Sequence, residues 1–243
     1  MTWSTSFNIT RLHNVITEPA PGTTHVRGNS WYNFYIREYA GIDPADGEAQ
    51  WYMDDQDGNK VQTKDYNAAT YYFIGNGLQD YTGGLRSDLR YKRFDFSVLA
   101  SFGIGGDFYD GNYQALMGGI RATGNNASVD LLNSWRSTAD AGDGHTLILR
   151  TQLNYGSQTS TRFLYDHTFL RVRNITLGYT FAPTQLERIK LRSARIYFNV
   201  QNPFTFFPNA PTGADPDSGI DARAINNNTT TNRFISFGLN LGI

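Results

Sequence analysis

The chain has 243 residues, with 21 Lys and Arg against 22 Asp and Glu and no cysteine. That balance excludes a basic field asking for nucleic acid, and the missing thiols exclude a disulfide framework, a thiolate metal site and a cysteine nucleophile. No run of about 18 apolar residues occurs, so no transmembrane helix is encoded, and MTWSTSFNIT lacks the charged and then apolar layout of a signal peptide. Hydropathy of this kind suits a soluble protein and a membrane β-barrel equally well.

Residues 3–13 and 30–39 read as strands, the second with Tyr32, Phe34 and Ile36 on one side. Residues 40–78 read as loop, with turn signals in GIDPADGEA and DDQDGNK. A hairpin follows, in which strand 81–91 sets Leu85, Leu89 and Tyr91 against Arg86, Asp88 and Arg90. Its partner, 94–106, sets Phe94, Phe96, Val98, Ala100, Phe102 and Ile104 against Asp95, Ser97, Ser101, Gly103 and Gly105. The stretch 107–162 is rich in Gly, Asn and Asp, with a short helix expected at 128–136. Strand 169–182 sets Ile175, Leu177, Tyr179 and Phe181 against Asn174, Thr176, Gly178 and Thr180. Strand 195–206 sets Ile196, Phe198 and Val200 against Arg195, Tyr197, Asn199 and Gln201. After a polar loop, 207–231, the strand 233–243 sets Ile235, Phe237, Leu239, Leu241 and Ile243 against Ser236, Gly238, Asn240 and Gly242.

In four of these seven strands one face is continuously apolar, while the other is Ser, Thr, Gly, Asn, Gln or Arg. A soluble sandwich shows charge on its outer face because that face meets bulk water. Small polar groups suit a lumen packed against something else. The connections also alternate, short at 92–93, moderate at 183–194 and long at 40–78, 107–166 and 207–231. Short turns at one end and long loops at the other are the layout of an outer-membrane barrel. Tyr91, Phe94, Tyr179, Phe181, Phe204 and Phe206 fall where interfacial girdles belong. The fold class is therefore read as all-β, an antiparallel up-and-down meander of about seven strands, in which counting connections back from the C-terminus runs 3–13, 81–91, 169–182 and 233–243 away from the loop end and 30–39, 94–106 and 195–206 towards it. It would be unclosed by itself, since bacterial barrels close with even strand numbers and seven strands leave two bare edges.

GLQDYTGGLRSDLRYKRFDFSVLASFGIGGDFYD resembles the P-x-Y-x-GG…YK-x-F-D hairpin of the SusC/RagA-type TonB-linked outer-membrane transporters. FLYDHTFLRVRNITLGYTF, LRSARIYFNVQNPFTFF and GADPDSG are similar to that family's C-terminal run, and WSTSFNITRLHNVIT and YAGIDPADGEAQWYMDDQDG to earlier blocks. The likeness covers nearly the whole chain in order. It departs from the pattern at Asp80, where Pro is usual, and at Ile243, where an aromatic is usual. The resemblance implies that residues 1–243 form the last third or less of a bacterial outer-membrane protein whose barrel has about twenty-two strands. Signal peptide, TonB box and plug would then lie ahead of it, and Met1 would be an artificial or mis-called start. It further implies an importer of oligosaccharides or peptides, driven by the TonB complex and covered by a SusD-like surface lipoprotein, its outer face against membrane lipid. The rival reading is a soluble secreted β-sandwich that binds glycans through aromatic loops. An extracellular hydrolase is disfavoured, since no acid–base pair of defensible spacing and no Gly-x-Ser-x-Gly motif occurs.

No catalytic residue and no cofactor is expected. Asp54, Asp55, Asp57 and Gly58, and Asp215, Asp217, Ser218, Gly219 and Asp221, are spaced like calcium loops but lack the closing Glu, and read as turns. GIGGD at 103–107 has no following helix to hold a phosphate. His13, His25, His145 and His167 are scattered without ligand spacing. Arg171 and Arg173 are expected to pair with lumen or loop carboxylates. The candidate ligand contacts are the loop aromatics Trp51, Tyr52, Tyr71, Tyr72, Tyr109, Tyr113 and Trp135, which either stack on substrate or pin the loops together.

Overall fold

Alternation of β-branched and aromatic residues with small polar ones drives an extended chain that presents two unlike faces. The computed structural model describes residues 1–118, 126–150, 156–187, 190–211, 213–217 and 231–242. The chain opens with β1 (Thr2–Arg11). Five short strands follow, β2 (Asn33–Arg37), β3 (Tyr39–Ile42), β4 (Ala49–Asp54), β5 (Lys60–Thr63) and β6 (Tyr71–Asn76). The hairpin β7 (Tyr81–Tyr91) and β8 (Phe94–Ile104) leads to β9 (Asp107–Tyr109), α1 (Gly111–Leu116), a 3-10 turn at Val129–Asn133 and β10 (Leu164–Asp166). The chain then runs through β11 (Phe169–Thr180), α2 (Pro183–Leu186), β12 (Ser193–Phe206) and β13 (Phe234–Gly242).

Six strands make one antiparallel sheet in the order β1-β7-β8-β11-β12-β13, a meander without a Greek-key crossing. Its register shows one continuous apolar face. Leu239 lies opposite Ile196, Phe237 opposite Phe198, and Ile235 opposite Val200. Leu177 bridges Phe198 and Phe96, and Leu89 bridges Phe96 and Trp3. Among the described residues nothing covers this face, and Phe237 is 80% exposed. A two-layer sandwich would have buried these rings, so the rival architecture does not hold. Ile243 lies outside the described residues.

The inner face is small for a steric reason. A methyl group at Gly238 would sit 2.0 Å from the ring of Tyr197, which lies across that position. At Gly178 it would sit 2.4 Å from the guanidinium of Arg195. Without that side chain Arg195 reaches over β11 to Asp95, donating at 3.0 and 2.5 Å. Glycine therefore alternates with residues that cover its neighbours.

The six-stranded count corrects the seven expected. Residues 30–39 are no wall strand. Their core, β2, pairs with β6 in a two-stranded sheet of its own, and β3, β4 and β5 form a third small sheet within the segment read as loop. β1 therefore pairs directly with β7, Arg11 opposite Tyr81 and Thr2 opposite Arg90, so it runs towards the loop end rather than away from it. The expected helix at 128–136 is a five-residue 3-10 turn. The asymmetry of connections holds: 12–80, 105–168 and 207–233 leave from one end, 92–93 and 181–192 from the other. At the turn end Lys92 takes φ +54 to close β7–β8 over two residues.

Candidate functional site

The three long connections fold onto one another above the loop end. β4 is the central strand of its small sheet, and it carries Trp51 inward, 1% exposed. The indole meets Tyr66 edge-on at 5.3 Å and Tyr39 at 6.3 Å, with Ala49, Ala69 and Leu147 closing the cluster. Tyr66 Oη donates to the Thr159 carbonyl and Tyr39 Oη to the His145 carbonyl, both at 2.9 Å, tying the first loop to the second. Burial pushes the Tyr39 phenol up to about 12, so it stays a donor at neutral pH. A second cluster gathers Ile36, Tyr109, Met117, Leu131 and Phe163. Trp135 donates from Nε1 to the Pro44 carbonyl at 3.2 Å and lies across Gly47, whose φ of +72 and close ring exclude a side chain.

The third loop is latched by charge. Arg171, at the loop end of β11, is 3% exposed and donates at 2.6 Å to Asp215, itself 6% exposed. It also pairs with Asp217 and donates to Thr205 Oγ1 at 2.9 Å and Thr231 Oγ1 at 3.0 Å. Arg173 pairs with the same Asp217 and donates to Ser101 Oγ at 2.6 Å. Burial pushes the Asp215 carboxyl up, but the Thr231 and Asp217 N–H groups and Arg171 outweigh it and hold the carboxyl below its ordinary range. Beside the latch His167 is buried among Phe108, Phe169 and Phe207, its Nε2 2.9 Å from the Pro216 carbonyl. Its Nδ1 is buried without a hydrogen-bond partner, and burial lowers its pKa. Arg171 and Arg173 thus meet loop carboxylates as expected. The Asp-rich stretch acts as an anchor, with Ser218, Gly219 and Asp221 outside the described residues.

The expected aromatics fall into two groups. Trp51, Tyr109 and Trp135 are buried in the loop cores, where they pin the loops. Tyr113 is half-buried and donates to Asp130 at 2.9 Å. Tyr52 and Tyr72 flank Lys60, whose Nζ is 4.4 and 5.0 Å from their ring centres, and Tyr72 donates to Asp54 at 2.6 Å. Tyr71 is 41% exposed and stacks at 5.1 Å on Tyr35, which meets Phe73 at 4.8 Å. Arg37 lies between the rings of Tyr66 and Tyr71, at 4.1 and 4.3 Å, and holds this ladder in place. The exposed surface is therefore Tyr35–Tyr71–Phe73, while Tyr52 and Tyr72 are half-buried. The period-two pattern of Tyr71 and Phe73 in YYFIGN is the signal that adds Phe73 and, through pairing, Tyr35.

Asp55 accepts from the N–H groups of Asp57, Gly58 and Asn59, a turn without a free carboxylate cage. Among the described residues no group of three or more His, Asp or Glu is placed to hold a metal ion. On the wall, the polar face has a hollow of about 650 Å³ lined by Ser4, Arg86, Asp88, Ser97, Asn174 and Arg195 among others.

No protein-family model matches the chain. It is 28% identical to the TonB-dependent receptor P3 of Formosa agariphila, over 98% of this chain and 25% of that protein. It is 26% identical to the TonB-dependent receptor SusC of Bacteroides thetaiotaomicron, over 91% of this chain and 23% of that protein. The RagAB peptide importer in its closed-closed state superposes with a TM-score of 0.71 at 24% identity, over 98% of this chain and 27% of that one. The open-open state gives 0.70 at 22% identity. The chain thus spans about a quarter of the length of the relatives it matches. An unclosed six-stranded wall with a bare apolar face and all long loops at one end is what a piece of such a barrel must look like. In sequence and in fold the chain is thus similar to a β-barrel segment of the TonB-dependent receptors of the outer membrane, of the SusC/RagA type.

Proposed function

We propose that this segment is the wall and outer loops of a nutrient importer that takes up oligosaccharides or peptides. The full receptor would draw its energy from the TonB complex and be covered by a SusD-like lipoprotein seated on the loops. The observation that carries this reading is the single loop body at one end of the wall, tied to β11 by Arg171 and Arg173 and presenting Tyr35, Tyr71 and Phe73. Similarity to receptors and to a peptide importer supports transport over catalysis. Exposed aromatic rims bind sugar rings and peptide side chains alike. The test is uptake of labelled oligosaccharide and peptide mixtures by cells with and without the full receptor gene. Loss of uptake of one class on deletion, restored by the intact gene and not by a form lacking its TonB-contacting part, supports the reading. Unchanged uptake of both classes overturns it.

A further inference from the structure

Charge is distributed unevenly between the two ends of the wall. The chain as a whole carries a net charge of -1, yet its turn end is strongly basic. Between residues 90 and 95 stand Arg90, Lys92 and Arg93, and the second connection adds Lys190 and Arg192. Arg195 is tied to Asp95 at 2.5 Å, so it brings no free charge. Among the described residues Arg90, Lys92 and Arg93 form no ion pair within 4 Å. Asp95 stands among them and offsets part of their mutual repulsion, and the cations still outnumber it.

These three cations surround a hollow of about 590 Å³ between the β7–β8 turn and the start of α2. Its walls come from both faces of the sheet. Arg90, Arg195 and Asp95, whose carboxylate Arg195 holds, contribute from the polar side, and Phe94 and Phe181 from the apolar side, with Thr180 and Pro183 between. Phe94 and Phe181 each contact Tyr179, at 4.9 and 5.1 Å, and Tyr91 lies opposite Phe94. That aromatic band marks the level of the membrane–water interface. Phe94, 52% exposed on the apolar face, brings one wall of the hollow to the side that faces lipid.

We propose that this rim hollow binds the phosphate headgroup of an anionic phospholipid in the leaflet at the turn end. Guanidinium forks at Arg90 and Arg93 match phosphate oxygens, and Lys92 adds a mobile point charge. The glycerol and acyl chains leave past Phe94 and Phe181 on the apolar side. Clusters of Lys and Arg beside a membrane surface favour anionic lipid, each strengthening binding about fivefold. Three together distinguish anionic from zwitterionic headgroups by about a hundredfold at low salt.

The inference rests on the barrel reading, and its test separates the two. The full receptor is purified in detergent, and its binding of phosphatidylglycerol and phosphatidylcholine is compared by native mass spectrometry in 50 and 500 mM salt. The wild type is expected to prefer phosphatidylglycerol, with the preference shrinking as salt screens the rim. The triple variant R90Q/K92Q/R93Q should lose that preference about a hundredfold, whereas the charge-keeping R90K/K92R/R93K should retain most of it. Equal binding of both lipids by the wild type, or an undiminished preference in the Gln variant, overturns the inference. So does inorganic phosphate binding as tightly as phosphatidylglycerol, which makes the hollow a free-anion site. If the Gln variant loses heat stability equally in every lipid, the cluster serves a protein contact instead, and the inference falls. Failure of the wild type to insert into vesicles at all strikes the barrel reading, not this one.

Discussion

Replacing Arg171 by Ala should free the third loop without unfolding the wall. Arg171 is 3% exposed and is held by Asp215, Asp217, Thr205 and Thr231. Its removal strands the Asp215 carboxylate, 6% exposed, which keeps the N–H groups of Asp217 and Thr231 and the Thr231 side chain to compensate. Breaking a buried pair from one side costs about 3–5 kcal/mol. The two remaining amide bonds argue for the lower end, about 3 kcal/mol, which is roughly a hundredfold in a local opening equilibrium. The assay is hydrogen exchange on the full receptor in detergent, read at the amides of Asp217 and Thr231. In the variant both should exchange about a hundredfold faster, while β12 and β13 keep their protection and the barrel's melting temperature does not change. R171K keeps the charge but loses the fork, and should fall between. If the two amides exchange alike in wild type and R171A, the latch does not hold the loop and the reasoning is refuted.

The loop aromatics should split by burial. W51A should destabilise the first loop by about 3–5 kcal/mol, seen as increased proteolysis between 40 and 80, while Y71A and F73A leave proteolysis alone and weaken capture of the transported ligand. His167 should make the latch acid-sensitive. Its folded pKa lies below its ordinary value through burial, so the unfolded loop binds the proton more readily, and the stability His167 contributes is complete above about 6.5 and declines as pH falls below it. The groups facing it are Asp107, Asp166 and Asp217. Exchange at the latch should rise as pH falls below about 6.5, and H167F should flatten that rise. G238A should displace the Tyr197 ring, which would lie 2.0 Å from the new methyl. The expected readout is a lower melting temperature for the full receptor, partly recovered by the second change Y197S.

The wall strands were legible because their alternation runs over 9 to 14 residues, the length that crosses a bilayer at a tilt. Strand direction followed from counting connections, and it failed at β1 for one reason. SWYNFYIREY alternates like a wall strand, yet only Asn33–Arg37 pairs, and it pairs with Tyr71–Asn76. Five residues cannot span a membrane. Length, not pattern, separates the two cases. The short strands β3, β4 and β5 were hidden because turn residues dominate GIDPADGEA and DDQDGNK, and what makes Ala49–Asp54 a strand is Trp51 docking on Tyr66 and Tyr39. The pairing of Arg171 and Arg173 with carboxylates could be expected from their cost when unpaired, but their partners lie more than forty residues downstream at Asp215 and Asp217. The exposed ladder depends on Tyr35 meeting Tyr71 across a pairing that sequence alone did not reveal.

Arginine scanning across the two faces of β12 tests the central claim most directly, by measuring the folded fraction of the full receptor in lipid vesicles from its heat-modifiable mobility. Phe198 and Val200 sit on the apolar face opposite Phe237 and Ile235, while Asn199 sits on the polar face opposite Thr176. F198R and V200R should each cost about 2–4 kcal/mol of insertion near the bilayer midplane, and N199R should cost far less. Equal losses at all three positions would contradict a wall built with one face in lipid and the other in the lumen.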